Sequence, residues 1–88
     1  MNIFIKKLSP KTNGILLEML FKKYGAVSSA KVIYDRITGD SRCFGFVEMP
    51  NDDEALKAIE ELNDSVFDEH TIEVSEAEPP EKKFKIRF

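Results

Sequence analysis

The stretch Arg42-Cys43-Phe44-Gly45-Phe46-Val47-Glu48-Met49 decides the fold of this chain. Its aromatic and aliphatic residues are typical of a β-strand, and a turn-forming cluster at residues 38–41 precedes it. Side chains alternate between the two faces of a strand, so Arg42, Phe44, Phe46 and Glu48 share one face and the odd-numbered residues share the other. The function of the protein therefore depends on which face meets the core.

The first strand predicts which face is buried. Ile3 and Ile5 share one side of this strand, and Phe4 lies on the other. Aliphatic pairs in the later strands also share a side: Ala30 with Val32, Val47 with Met49, and Ile72 with Val74. If these sets point inward, Phe4, Phe44 and Phe46 lie on the opposite face, which two helices cannot also cover. Exposed rings beside Arg42 predict a partner with flat bases and phosphates.

Size and composition predict one soluble domain. The 88 residues are 42% hydrophobic and 33% charged, which is ordinary for a globular protein. A single cysteine excludes an internal disulfide, and no apolar run reaches the length that spans a membrane. We therefore expect a cytoplasmic protein with no membrane contact.

The charges are unevenly distributed along the chain, although the formal net charge is only −3. Residues 1–50 carry eight basic and four acidic side chains, whereas residues 51–81 carry one basic and twelve acidic side chains. Residues 82–88 are again basic. The acidic total lowers the expected non-specific affinity for nucleic acid, but it does not exclude binding through stacking.

The predicted elements follow the order βαββαβ. The strands are expected at residues 2–8, 27–35, 42–49 and 70–76, with a short extra strand at 66–67. Asn13 (or Thr12) caps the first helix and Gly25 ends it, while Asn51 caps the second helix. This order predicts an α+β, ferredoxin-like fold with two helices on one face of a four-stranded antiparallel sheet. The first and third strands are then neighbours.

The domain is predicted to cover residues 1–77, and residues 78–88 form a separate C-terminal tail. Pro79-Pro80 closes the domain, and a basic and aromatic segment at residues 82–88 follows.

Two segments of this chain resemble the signature of the RNA recognition motif family. Residues 42–49 resemble its octapeptide, basic-Gly-aromatic-Gly/Ala-aromatic-aliphatic-x-aromatic, and Ile3-Phe4-Ile5-Lys6-Lys7-Leu8 is similar to the companion hexapeptide. Over residues 1–77 the chain resembles the small, single-domain bacterial RNA-binding proteins of this family. The resemblance implies that bases stack on Phe4 and Phe44. It also implies that Phe46 contacts a sugar or a further base and that Arg42 binds a phosphate.

Several positions depart from the family pattern, among them Cys43 and Glu73. Cys43 stands where glycine is usual, and its position in the alternation predicts a small buried side chain. Glu73 places an anion on the predicted binding face, where it either weakens the affinity for RNA or accepts a hydrogen bond from a base such as cytosine. Arg42, if it does not bind phosphate, is expected to pair across strands with Glu73 or Glu48.

The leading hypothesis is non-catalytic binding of about two to four nucleotides of single-stranded RNA, or of single-stranded DNA, on the open sheet face. The predicted binding residues are Phe4, Phe44, Phe46, Arg42, Lys6, Lys31 and Glu73. The alternative is a protein-interaction module on the same scaffold. In that case Ile15 and Met19 on the first helix contact a protein partner.

An enzyme is not expected. A small hydrolase of this fold, such as an acylphosphatase, needs an arginine-bearing anion loop after the first strand, and residues 8–11 do not supply it. His70 is the only histidine, so we expect no metal cluster around it. No glycine pattern indicates a phosphate-binding loop, and no cofactor is predicted.

Overall fold

A computed structural model of the chain describes residues 1–77. The helices are α1 (Gly14–Lys22) and α2 (Asp52–Leu62). The strands are β1 (Asn2–Lys6), β2 (Ser29–Tyr34), β3 (Ser41–Glu48), β4 (Val66–Phe67), β5 (His70–Thr71) and β6 (Glu73–Ala77). The predicted tail at residues 78–88 lies outside the described residues.

Four strands form the main sheet in the order β2-β3-β1-β6, and all neighbours are antiparallel. β4 and β5 pair as a separate two-stranded ribbon. α1 packs against β2 and β3, and α2 packs against β6. The predicted ferredoxin-like fold is confirmed, with β1 and β3 as central neighbours.

The core lies between the two helices and one face of the main sheet. Ile3 and Ile5 of β1 are fully buried, and they share one cluster with Val47 of β3 and with Leu17 and Phe21 of α1. Burying one such aliphatic side chain is worth about 1.5–3 kcal/mol. A slip of one residue in the register would turn this whole set outward, so the aliphatic pattern determines which face of the sheet is buried.

Both helices begin where the sequence predicts. The Asn13 Oδ1 atom accepts a hydrogen bond from the Leu16 backbone N–H at 2.9 Å, and Asn51 Oδ1 accepts one from the Glu54 N–H at 3.0 Å. Each asparagine thus satisfies a backbone donor that has no partner inside its helix. Neither helix is long and apolar enough to cross a lipid bilayer, within the described part of the chain.

Gly25 does not act as the predicted glycine that ends α1. α1 ends at Lys22, and Gly25 has a φ of 159°, which is close to extended and far from the left-handed value of a helix-ending glycine. The residue is small for another reason, because a Cβ atom at this position would collide with the Glu54 side chain. That close approach lets the Ala26 N–H donate to Glu54 Oε1 at 3.2 Å and joins the end of α1 to the start of α2.

The last predicted strand, residues 70–76, is divided in the structure. β5 pairs with β4, which confirms the short extra strand, whereas β6 joins β1 in the main sheet. Ile72 separates the two because its N–H donates to the Ser65 carbonyl and its own carbonyl accepts from the Asp64 N–H, both at 2.9 Å. These bonds hold the buried Ile72 to the turn after α2.

A bulge in β3 changes the environment of Cys43. The pairing of β2 with β3 shifts between Val32 and Tyr34, which face Gly45 and Ser41 respectively. Cys43 lies in the extra segment with a φ of 63°, in the left-handed region that glycine adopts most easily. Its side chain is half-buried, so the prediction of a buried residue is wrong. Alternation fails here because the bulge interrupts the regular strand.

Candidate functional site

Three phenylalanine rings form one cluster on the sheet face that the helices leave open. Phe4 of β1 lies directly opposite Phe46 of β3, and their ring centroids are 5.1 Å apart with 25° between the planes. Phe44 lies edge-on to both rings, at 5.6 Å from Phe4 and 6.3 Å from Phe46. All three are half-buried. We call Phe4, Phe44 and Phe46 the phenylalanine platform.

The platform exists because burial of the aliphatic residues leaves the rings on the other face. Ile3 and Ile5 flank Phe4 in β1, and both point into the core. Gly45 lies between the two rings of β3, and a Cβ atom there would be 2.5 Å from the Lys31 carbonyl oxygen. A larger residue at Gly45 would push β2 away from β3, so this glycine allows the two strands to pair closely.

Two lysines border the platform. Lys31 of β2 pairs in register with Phe46, and Lys6 of β1 pairs with Phe44. Both side chains are exposed, and the Lys6 Nζ atom is 5.9 Å from the centroid of the Phe4 ring. A cation at this distance is attracted to the ring face and is also available to a phosphate.

Glu73 lies on the same face, opposite Lys6 in the pairing of β6 with β1. Its Oε2 atom is 2.8 Å from Lys7 Nζ, and its Oε1 atom is 3.6 Å from Lys6 Nζ. The hydrogen bond and the charge of Lys7 lower the pKa of Glu73 below its ordinary value, and the same contacts raise the pKa of Lys7. The carboxylate is therefore ionised at neutral pH and partly neutralises both lysines.

Lys7 is a site residue that the sequence analysis missed. Strand alternation would place it on the face opposite Lys6. The structure gives it a φ of 62° just after the end of β1, and this left-handed backbone directs the side chain to Glu73. No pattern of residue types indicated this turn.

Arg42 lies near the start of β3. The alternative prediction, that it pairs with Glu73 or Glu48, is wrong. Its Nη1 atom is 4.0 Å from Asp35 Oδ2, a partner that is neither Glu73 nor Glu48. The bulge at Cys43 directs Arg42 toward the loop between β2 and β3. Its side chain remains largely exposed, so the guanidinium is accessible to a phosphate.

Asp35 also organises that loop. Its Oδ1 atom accepts hydrogen bonds from the backbone N–H groups of Thr38, at 3.0 Å, and Ile37, at 2.8 Å. These bonds are the main reason that the pKa of Asp35 lies below its ordinary value, and the Arg42 charge adds to the effect. No residue pattern in the sequence indicates this role of Asp35.

The other predicted contact residues, Ile15 and Met19, lie on α1 and away from the platform. Their side chains are 67% and 61% exposed, and their spacing of four residues places them side by side on the helix surface. The structure therefore keeps the predicted RNA-contacting and protein-contacting residues on different elements.

The described residues suit non-covalent binding. Flat aromatic rings can stack on bases, and the flanking cations can attract phosphates. Within residues 1–77, no group of three or more histidine, cysteine, aspartate or glutamate side chains is placed to hold a metal ion.

Comparisons with known proteins identify the family whose sequence signature the chain resembles. The RNA recognition motif family matches residues 3–73. The chain is 43% identical over 84 residues to the chloroplastic 29 kDa ribonucleoprotein of Arabidopsis thaliana, an alignment that covers 93% of this chain and 25% of the relative. Among solved structures, the RNA-binding protein PG1 is 48% identical with a TM-score of 0.87, covering 91% of this chain and 98% of that one. An Sxl-lethal protein/RNA complex is 27% identical with a TM-score of 0.81, covering 86% of this chain and 47% of that one.

The comparisons also correct the predicted location of the protein and show how much of each relative the chain covers. The expected cytoplasmic location is wrong, because the Arabidopsis relative and two others of similar identity are chloroplastic proteins. The chain spans a third or less of the length of the curated relatives that it matches, so the rest of each relative has no counterpart in the alignment.

Proposed function

Because the chain belongs to the RNA recognition motif family, we propose that it binds single-stranded RNA by stacking unpaired bases on the phenylalanine platform. The observation that carries this proposal is the contact of three half-buried rings on a sheet face that no described element covers. The function is binding without catalysis, in agreement with the ribonucleoproteins that the chain resembles.

The cations give the site its attraction for the phosphate backbone. Arg42 stands at one end of the platform, and Lys6 and Lys31 lie beside the rings in the pairing register. Glu73 acts against this attraction through its contacts with Lys6 and Lys7. These contacts involve base faces and phosphates, which RNA and DNA share, so single-stranded DNA is expected to bind the same face.

An NMR titration with a random-sequence RNA pool tests the site directly. We expect the largest shifts at outward-facing residues of β1 and β3, with α1 unaffected. The Phe4→Leu/Phe46→Leu double variant keeps apolar bulk but removes two stacking rings, and it should lose most of the affinity. Phe67→Leu is the matched control because it removes a ring in β4, outside the platform. Shifts confined to the helices, or equal losses in variant and control, would refute the proposal.

A second binding activity at α1 is supported by the exposure of Ile15 and Met19. We propose that this patch contacts another protein chain, and a second copy of this protein, which presents the same apolar patch, is the partner tested first. Light scattering at increasing concentration should detect dimers that the Ile15→Glu/Met19→Glu variant cannot form. A wild-type protein that stays monomeric at every concentration would exclude this partner.

A further inference from the structure

The loop between β2 and β3 forms a groove with an apolar wall. Its volume is about 430 Å³, within the usual range for a binding pocket. Ile37 in the loop is 95% exposed, and Tyr34 at the end of β2 is 47% exposed. A concave apolar surface with a few charged groups is a common form of binding site. We call this feature the loop groove, and its lining residues are Ile33, Tyr34, Asp35, Arg36, Ile37 and Arg42.

Hydrogen bonds within the loop fix the shape of the loop groove. The Asp35 N–H donates to the Asp40 carbonyl at 2.8 Å, and the Gly39 N–H donates to the Asp35 carbonyl at 2.9 Å. The Asp35 carboxylate accepts from the backbone N–H groups of Ile37 and Thr38. Because these bonds are already present in the isolated protein, the loop loses little conformational entropy when a partner binds.

The charges of the loop groove favour an acidic partner. Arg36 and Arg42 line the groove together with one acidic residue, Asp35. One Asp35 oxygen accepts from the loop backbone, and the other lies 4.0 Å from Arg42. Among residues 1–77, Arg36 has no carboxylate oxygen within 4.0 Å. At least one guanidinium is therefore available to a carboxylate of another molecule.

The exposed side of α2 carries the complementary combination of groups. Leu56 is 50% exposed, and Asp53 and Glu60 are exposed residues three positions before it and four positions after it. This spacing places all three side chains on one side of the helix. With a rise of about 1.5 Å per residue, Asp53 and Glu60 lie about 4.5 Å and about 6 Å from Leu56 along the axis. We call Asp53, Leu56 and Glu60 the α2 face.

The carboxylates of the α2 face are available to a partner. Neither Asp53 nor Glu60 has a cationic nitrogen within 4.0 Å in the part of the chain that the structure describes. Helix α2 has five acidic residues and one basic residue, Lys57. An apolar side chain between two such carboxylates matches a groove that has an apolar wall and two arginines.

We propose that the loop groove binds the α2 face of a second copy of this protein. Leu56 of one copy packs against Tyr34 and Ile37 of the other, and the two carboxylates beside Leu56 face the two arginines of the groove. The contact is heterologous, because each copy presents its groove to one neighbour and its α2 face to another. It uses neither α1 nor the phenylalanine platform, so it does not depend on the functions proposed above.

The contact is expected to be weak, since one helix face in one groove gives an interface at the low end of known sizes. We therefore expect half-saturation at roughly 0.1–1 mM protein, in a range where NMR signals shift progressively with concentration.

Two variants of the full chain separate the two halves of the contact. Leu56→Lys keeps the loop groove and removes the apolar centre of the α2 face, and lysine is a good helix former that preserves α2. Ile37→Glu keeps the α2 face and removes part of the groove wall at an exposed loop position. Neither variant should bind a copy of itself through this contact, because each new charge meets like charges on the opposing surface.

The test uses isotope-labelled Leu56→Lys protein. Addition of unlabelled Ile37→Glu should shift the Tyr34 and Ile37 signals, because the intact groove then meets an intact α2 face. Addition of unlabelled Leu56→Lys is the matched control and should leave these signals in place. A contact through α1 would act equally in both mixtures, so the difference between them reports only on the groove.

The role of the carboxylates is tested by the same titration. The unlabelled variant Ile37→Glu/Asp53→Asn/Glu60→Gln keeps Leu56 but loses both charges of the α2 face. We expect its half-saturation concentration to be about two- to tenfold higher than that of Ile37→Glu, as is usual for the loss of exposed charge pairs. An unchanged value would overturn the proposed pairing with the arginines.

Two results would overturn the inference as a whole. Equal shifts of Tyr34 and Ile37 in both mixtures, or no shift in either mixture up to roughly 1 mM, would exclude the α2 face as the occupant of the groove and leave another partner there. Shifts confined to α1 would support the contact at Ile15 and Met19 and refute this one. Because neither mixture contains RNA, each of these results leaves the proposed RNA binding unaffected.

Discussion

Lys7 and Glu73 form an ion pair on the face that carries the platform, with 2.8 Å between Nζ and Oε2. Lys6 Nζ lies 3.6 Å from the other carboxylate oxygen. Glu73 therefore contacts two lysines that a phosphate could otherwise contact. The acidic residue thus limits affinity on a surface that otherwise attracts RNA.

Removal of that charge should strengthen RNA binding. We expect Glu73→Gln to increase the affinity by up to roughly fivefold, since exposed charge pairs are worth about 0–1 kcal/mol. Fluorescence anisotropy at low salt measures the change, with Glu69→Gln, an exposed glutamate just before β5, as the control. A lower affinity in Glu73→Gln would instead assign this carboxylate to reading a base.

The salt dependence of binding should be shallow. Arg42, Lys6 and Lys31 can neutralise about two or three phosphates, and each contributes about −0.7 to the slope of log affinity against log salt for a single strand. We therefore expect a slope of roughly −1.5 to −2 for a four-nucleotide pool, measured by a titration series in salt. A slope of −4 or steeper would require a larger basic surface than these three residues.

The platform should contribute to binding far more than to stability. Phe44→Ala should weaken RNA binding roughly 5- to 150-fold, because stacking is worth about 1–3 kcal/mol per base. Ile5→Ala should instead destabilise the fold by about 2–5 kcal/mol, because it leaves a cavity in the core. Urea unfolding and anisotropy on both variants give the comparison. A Phe44→Ala protein that unfolds while Ile5→Ala stays folded would contradict this division.

The left-handed backbone at Cys43 predicts an unusual order of stabilities. A left-handed conformation costs an ordinary residue roughly 1–2 kcal/mol, whereas glycine adopts it freely. We expect Cys43→Gly to match or exceed wild-type stability and Cys43→Val to be roughly 1–2 kcal/mol less stable than Cys43→Gly. Urea unfolding under reducing conditions measures both. Equal stability of the glycine and valine variants would mean that the strand lacks this bulge in solution.

The Asp35 carboxylate should make stability depend on pH at the acid end. Its native pKa lies below the ordinary value of 3.8, so the native state binds fewer protons at this group than the unfolded state does. Its contribution is complete above that value and is lost as the pH falls through the lowered pKa. The urea midpoint of wild type should therefore fall more steeply between about pH 5 and pH 2 than that of Asp35→Asn. If the urea midpoints of the two proteins changed equally with pH, the Asp35 charge would not stabilise the fold.

The parts of this structure that could be predicted depend on regular local geometry. Alternation in β1 and β3 was enough to place Phe4 and Phe46 on the face opposite Ile3 and Ile5. The helix starts followed from Asn13 and Asn51, whose side chains bond to backbone only three residues away. Such short-range relationships appear directly in the order of residue types.

The parts that could not be predicted depend on breaks in that geometry. Lys7 and Cys43 both have left-handed backbones, and each one interrupts the alternation of side chains that a regular strand would have. The break at Cys43 turns Arg42 toward Asp35, and the break at Lys7 brings its side chain to Glu73. Neither residue is a glycine, so residue type gave no signal of either turn.

The spacing of Phe4 and Phe46 has a consequence for the shape of the RNA. Backbone hydrogen bonds hold neighbouring strands about 4.8 Å apart, and the two ring centroids are 5.1 Å apart. Along one strand of a DNA double helix, successive nucleotides advance only about 3.4 Å along the axis. The spacing of the strands therefore fixes the distance between two bases that stack on Phe4 and Phe46. Such bases must first separate from each other. An RNA segment that is paired in a stem has to melt before its bases can stack on both rings. Base pairing within the RNA therefore competes with binding to the protein.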